Sequence, residues 1–595
     1  MAPRFLAFIG SNRDLPVSTI SRLERTAGAL GLVRVLHSAQ AIVFAQNGAP
    51  PLALDAAGGV ILGTVFTGIA APRQLAHLDE ATQQAIKASK GLHLVENFWG
   101  GYVAILPEDT DVHVVRDPSG FAPCYYLQWR DLTVAASGVD ILTACGLLIP
   151  EIDWTHIAEH LVANGLRTAR TGIVGLVELE PGTRLTLRDR IPTVHQLWSP
   201  WTFAARDQQI LDAETAAELL HQSVVGCVGA WASLFEHPLL SLSGGLDSSI
   251  VAAGLARSST KFSCITLAAH DPKGDERAYA RAVCSKMGAP LFEAYEEPAD
   301  VDVRLSEASH LPRPLARAFE QSGNRQQLDI AGREGCDAFF GGGGGDNIFC
   351  YLQSVGPIAD RLLMQGPGFG AWRTVADISK LTGCSAWTAT TRAIQRAWFR
   401  SPHYRWPLQT MFLTGPAIER AGQWYHAWLD APADALPGKA AHIAMIMAFL
   451  NHMEGYNREL THPVISPLMS QPLIELCLRI PSWMWCAGGL NRSLARVAFN
   501  RDLPDEILRR RSKGSPSGFA IEILEAQRTE IREMLTDGHL ARQGFLDLER
   551  INQFINNFSP MRGGGYAHLL RLVDVEAWID AWVSKKAVGA LASAS

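Results

Sequence analysis

Ser243-Gly244-Gly245-Leu246-Asp247-Ser248-Ser249 follows the apolar run Leu239-Leu240-Ser241-Leu242 and runs into the helical spacing of Ser248 to Ala256. Small residues between a strand and a helix let backbone N–H groups close around a phosphate, and the helix N-terminus adds positive potential. The stretch is therefore an anion cradle. It is not a Walker loop, because no Gly-Lys-Ser/Thr follows, and it lacks the G-x-G-x-x-G dinucleotide pattern. The plain alternative is a glycine-rich turn with a serine cap.

Outward from this loop, strand and helix patterns alternate: Phe262 to Leu267, Glu276 to Met287, Leu291 to Tyr295. That alternation predicts a parallel sheet with crossover helices. Beyond Tyr351 the segments are longer, Trp-rich and helical in period, Ala441 to Leu460 among them, which makes a helical extension. Before the loop the pattern differs. Short β-like runs, Arg4 to Ile9, Ala41 to Ala45, Val60 to Phe66, Gly101 to Leu106, Val112 to Val115, Leu132 to Ala136 and Thr183 to Leu187, predict stacked sheets with few helices. Gln196 to Phe203 interrupts them, and helical spacing starts at Asp212, so we place a boundary between domains 1–205 and 206–595.

Length and composition agree with two domains. The 595 residues exceed one core, and 47% hydrophobic against 19% charged residues excludes wholesale disorder. A net charge of −6 gives no footprint for a nucleic-acid backbone. Ten cysteines without a CxxC pair suggest neither a zinc ribbon nor a disulfide framework. No apolar run is long enough to span a bilayer, and a cytoplasmic protein with reduced thiols is expected.

A second glycine-rich turn, Phe339-Phe340-Gly341-Gly342-Gly343-Gly344-Gly345-Asp346-Asn347, again leads from an apolar strand to a carboxylate. It lets backbone approach a ligand and aims Asp346 at a cation, although such a run alone reads equally as a flexible loop.

The segment 243–249 resembles the PP-loop of the ATP pyrophosphatases, Ser-Gly-Gly-x-Asp-Ser. The resemblance implies ATP cleavage between the α and β phosphates, with Ser243, Gly244, Gly245, Leu246, Asp247, Ser248 and Ser249 around the pyrophosphate. Leu242 and Leu267, at strand ends, and Gly343 and Gly344 are placed with them at the nucleotide. Asp247 and Asp346 become the magnesium ligands. The second turn resembles the Gly-rich Asp motif of asparagine synthetase relatives, and Asp275-Glu276-Arg277-Ala278-Tyr279-Ala280 their Asp-Glu-x-x-Tyr-Ala helix. Arg116-Asp117-Pro118-Ser119-Gly120 and Leu179-Glu180-Pro181-Gly182-Thr183 resemble elements of the class II glutamine amidotransferase domain, so the likeness covers nearly the whole chain. Lys513, in Arg511-Ser512-Lys513-Gly514, falls where the family has a catalytic lysine over the acyl-adenylate, with 514–518 as a closing loop. The helical stretch His452 to Glu459 is the expected place for substrate contacts, and Glu454 and Tyr456 are its candidate catalytic residues.

Two departures narrow the function. The glutaminase of that family needs Cys directly after the initiator Met; here residue 2 is Ala, and no cysteine precedes Cys124. Thr461-His462-Pro463-Val464-Ile465-Ser466-Pro467 stands in place of the Glu-x-Arg-x-Pro-Phe segment of aspartate-binding synthetases. The nucleophile is then an amine already on a substrate. Two ring-closing groups share these features, the β-lactam synthetases and the lasso-peptide macrolactam synthetases. The former carry a Tyr-Gly-x-Asp version of the second motif, whereas the form here, Gly-rich and followed by Asp346-Asn347-Ile348-Phe349-Cys350-Tyr351, looks more like lasso cyclases. That likeness implies ATP and Mg²⁺, a ribosomal core peptide as substrate, and a leader-peptide protease and recognition protein as partners, with no nucleic acid and no membrane. A small-molecule amide ligase and a non-catalytic peptide-binding scaffold are the alternatives.

Overall fold

Alternating apolar residues in the N-terminal strands build two antiparallel sheets. One runs in the order Val177–Glu178, Tyr125–Trp129, Leu132–Ala136, Phe5–Ile9, Ala41–Gln46, Leu32–His37. The other runs Ile191–Gln196, Thr183–Arg188, Val112–Arg116, Phe98–Pro107, Gly59–Thr67, Leu52–Leu54. The computed structural model describes residues 3–10, 17–47, 50–56, 58–69, 71–108, 110–268, 274–315, 320–455, 460–511, 517–556 and 565–594.

The period of two sends Phe5, Ala7 and Ile9 into one layer with Val103, Ile105 and Val114 of the facing sheet. The residues between them point outward and are buried as well. Leu6, Phe8 and Val134 pack with Ile157, Leu161 and, from the far end of the chain, Trp578. Val65, Tyr102 and Ala104 pack with Leu220, Val224 and Trp231 of the helix Ala213–Ala232, in a core that continues to Leu240 and Ile250. Both outer faces are thus covered, so this half holds more helix than expected: Val17–Ala29, Glu80–Ala88 and Trp154–Ala163 are helical.

The second half contains a five-stranded sheet ordered Leu291–Tyr295, Ser263–Ala268, Pro238–Ser241, Ala338–Gly341, Val464–Ile465, parallel throughout. The order reverses between Pro238–Ser241 and Ala338–Gly341. In open α/β sheets, ligands bind beyond the carboxyl ends of the strands at this switch point. Stacked antiparallel sheets followed by a parallel α/β domain with a helical extension is the architecture expected. None of the described helices is long and apolar enough to cross a membrane.

One expected helix is cut short. Helical spacing over 441–460 gives a helix only over Pro437–Phe449, followed by a tight turn at Leu450–His452. The Leu450 carbonyl, which would have accepted the Glu454 N–H, accepts instead from Arg167 Nη1 at 2.8 Å, and Gly455 turns away at φ 92°. Glu454 therefore lies beyond the helix, and 456–459 lie outside the described residues.

Candidate active site

The register Ser241↔Gly341 sets the two glycine-bearing loops side by side. The first turns at Gly244, at φ 63°, where a Cβ would come 2.5 Å from Tyr279 Cβ, and enters the helix Leu246–Arg257 through Gly245. Ser249 donates to the Gly245 carbonyl at 2.8 Å, and the Ser243 and Ser248 hydroxyls stand 3.3 Å apart at the helix N-terminus. The second loop passes so close that a Cβ on Gly345 would lie 2.3 Å from both Cβ and Cγ of Asp247. Glycine is required there by contact, and the approach brings Asp247 and Asp346 together.

Among the described residues, Arg492 bridges those two carboxylates. Arg492 Nη1 donates to Asp247 Oδ2 at 2.6 Å and to Asp346 Oδ1 at 2.5 Å. Arg492 itself is left-handed, at φ 51°, an uncommon conformation for a residue with a Cβ. Arg496 braces it from below, donating to the Asn491 carbonyl at 2.9 Å and the Arg510 carbonyl at 3.0 Å. Burial, with Arg492 nearby, pulls Arg496 down to about 10. Two carboxylates converging on one positive atom are the donor set of a hard divalent cation. Asp247 and Asp346 thus fit the magnesium role expected of them, with Arg492 as the resident counter-charge.

These loops line a cavity of about 470 Å³. Of the expected nucleotide residues, Leu242, Ser243, Gly245, Asp247, Ser248, Leu267, Gly343, Gly344 and Asp346 border it. Gly244, Leu246 and Ser249 do not: Gly244 abuts Tyr279, and the other two are buried beneath the loop. Arg510 holds the first loop from behind, donating to the Gly244 carbonyl at 3.0 Å, lying 4.0 Å over the Tyr279 ring and pairing with Glu276. Lys513, three residues further on, and the rest of 512–516 lie outside the described residues, as does Tyr456. Gln327, Phe449 and Ser466 also border the cavity. Gln327, Phe449 and Arg492 were missed by sequence reasoning because none sits in a motif, and Ser466 because its segment, 461–467, was read only as a departure from the family pattern.

Glu454, expected as a catalytic residue, does not border this cavity; it lines a second one, and arginines take up its carboxylate. Its carboxylate accepts from Arg167 Nη2 at 2.8 Å and Arg313 Nη2 at 2.9 Å. Glu178 lies in the same cluster and accepts from Arg116 Nη1 at 2.7 Å, Arg313 Nη1 at 3.0 Å and Arg167. Burial alone would raise the Glu454 carboxyl, but Arg167 and Arg313 outweigh it and hold it down at about 2. So acidic a group is a poor base at neutral pH. The cluster joins the first antiparallel sheet to the segment entering 456–459, and it absorbs the Arg116-Asp117 motif: Asp117 accepts from the backbone N–H groups of Gly120 and Ala122 at 2.7 and 3.0 Å.

Paired carboxylates beside a PP-loop at the switch point of a parallel sheet define an ATP-binding ligase domain. The asparagine synthase family model matches residues 236–584, more than half of the chain, and the chain belongs to that family. It is an ATP-dependent carbon–nitrogen ligase of the asparagine synthetase type. No curated protein matches it. Among solved structures it is similar to the allosteric regulatory enzyme of purine biosynthesis, at 11% identity and a TM-score of 0.21 over 51% of this chain and 76% of that one. It is also similar to glutamine phosphoribosylpyrophosphate amidotransferase from B. subtilis complexed with ADP and GMP, at 10% identity and a TM-score of 0.21 over 49% and 81%.

Proposed function

We propose that this ligase forms a macrolactam in lasso-peptide biosynthesis. It adenylates an Asp or Glu side-chain carboxylate of a core peptide, the peptide's own N-terminal amine attacks the acyl-adenylate, and AMP and pyrophosphate leave. Glutamine is not the nitrogen source.

The observation that carries this reading is the room beyond the nucleotide loops. A second cavity of about 330 Å³, between the two halves, shares Val464 with the nucleotide cavity. It shares His310 and Leu460 with a third, of about 490 Å³. One small amino acid needs far less than this run of space, which suits an extended, partly apolar substrate passing Phe121, Trp231 and Met453. The amine-source argument has support too: Cys124, the first cysteine of the chain, is buried, and burial pushes its thiol up to about 12, which removes it as a nucleophile.

In this mechanism Ser243, Ser248 and the N–H groups at the start of the helix Leu246–Arg257 hold the leaving pyrophosphate. Asp247 and Asp346 would hold magnesium, which when bound neutralises phosphate charge, and Arg492 must then give up its carboxylate partners. Lys513 is assigned to the adenylate phosphate and the developing oxyanion. A leader-peptide protease and a recognition protein supply the free N-terminal amine.

Mass spectrometry of the chain with ATP, magnesium and leader-cleaved core peptide tests the reading. AMP together with a peptide lighter by one water, resistant to Edman degradation, is expected. AMP formation only with small amino or β-amino acids would replace the peptide reading with a small-molecule ligase, and no AMP with any carboxylate would leave the scaffold.

A further inference from the structure

In the helical extension, Phe369–Thr382 and Ala386–Trp398 pack on each other and bury Val375, Ile378, Ala389 and Ala393 with Ile358 and Cys486. With that face satisfied, the solvent side of such helices should be polar. It is not. Phe369 is 85% exposed, Trp387 and Phe399 78%, Trp372 64% and Trp398 52%. Every exposed Trp or Phe among the described residues lies between 369 and 399. Trp387, Ile394 and Trp398, at i, i+7 and i+11, form one stripe opposite the buried Ala389 and Ala393.

The same region inverts the charge of the chain. Residues 366–406 hold Arg373, Lys380, Arg392, Arg396, Arg400 and Arg405 against Asp377 alone, in a protein of net charge −6. Arg373, Arg392, Arg400 and Arg405 are exposed, and among the described residues no ion pair engages the last three. Protruding aromatic rings in a segment rich in exposed arginines match an interfacial lipid-binding element: the rings enter the headgroup boundary without a preformed complement, and the guanidinium groups reach the phosphates. A protein partner would need an acidic surface shaped around each protruding ring.

We propose that this helical pair seats the ligase on an anionic lipid surface, with Trp387 and Trp398 inserted and Arg392, Arg400 and Arg405 on lipid phosphates. This departs from the expectation of no membrane partner, which rested on the lack of a spanning segment, and it is independent of which substrate the ligase takes.

Co-sedimentation of the full chain with vesicles tests it. Binding to mixed phosphatidylcholine–phosphatidylglycerol vesicles, a blue shift of tryptophan emission, no binding to phosphatidylcholine alone, and loss at high salt are expected. Trp387→Ser/Trp398→Ser and, separately, Arg392→Glu/Arg400→Glu should each weaken binding at least tenfold while AMP formation and melting temperature stay unchanged. No binding to the mixed vesicles at low salt, or equal binding by both double variants, would overturn the proposal, and the first result would leave an acidic protein as the complement of this face.

Discussion

Replacing Glu454 by Gln removes one of the two carboxylates that face Arg116, Arg167 and Arg313 across the interface of the two halves. Three buried guanidinium groups would then face Glu178 alone. Removing one partner of a buried ion pair typically costs about 3–5 kcal/mol, because the remaining charge stays desolvated. At roughly 2 °C per kcal/mol, the figure for larger domains, the melting temperature should fall by about 6–10 °C. Arg313→Met, which deletes one of the stranded cations, should recover part of that loss when combined with Glu454→Gln. The acid limb of stability should change too. A carboxyl held at about 2, against an ordinary 4.5, stabilises the fold above the ordinary value, and that contribution is lost as pH falls from about 4.5 towards 2. The variant lacks this increment at neutral pH and should lose less than the wild type over that window. Thermal unfolding across pH, with AMP formation measured alongside, reads both. If Glu454→Gln left stability intact but lowered kcat by orders of magnitude, with no rescue by Arg313→Met, Glu454 would be an acid–base residue and not a member of a structural ion cluster.

Arg492→Gln removes the guanidinium that Asp247 and Asp346 share, so the half-saturating Mg²⁺ in a thermal-shift titration without ATP should drop roughly tenfold, about 1.4 kcal/mol. Stability in EDTA should fall in the same variant, and an unchanged Mg²⁺ dependence would show that the guanidinium does not compete for this site. Gly345→Ala forces a Cβ onto the Asp247 side chain. A displacement near 1 Å costs about 100-fold in rate, so AMP formation should drop at least that far while circular dichroism stays native. Cys124→Ala should leave AMP formation within about twofold, since burial holds its thiol near 12, and a larger loss in a well-folded variant would contradict its assignment as inert.

The PP-loop was legible because strand, small residues and helix follow one another locally, and local order is what periodicity and turn chemistry record. Asp346 was legible for the same reason. Arg492 was not: it lies 245 residues from Asp247 and reaches the site only through the turn of the chain at its own left-handed backbone. The Arg–Glu cluster was equally hidden, since Arg116, Arg167, Glu178, Arg313 and Glu454 come from five separate segments. The strands Leu32–His37 and Ile191–Gln196 escaped notice because both are sheet edges with one buried side chain between them, so they lack the buried–exposed alternation that marks a half-buried strand. The helix expected through Leu460 failed at Leu450 because a distant arginine took its carbonyl, which no local pattern contains.

In the proposed reaction the loops carrying Asp247 and Asp346 pass AMP to a carboxylate. The most direct measurement labels the acceptor side-chain carboxylate of the core peptide with oxygen-18 and follows the label during turnover. One labelled oxygen in the AMP released is expected, and no labelled AMP with Asp247→Ala. Label absent from AMP, or found in inorganic phosphate with ADP as product, would contradict adenylation at this site.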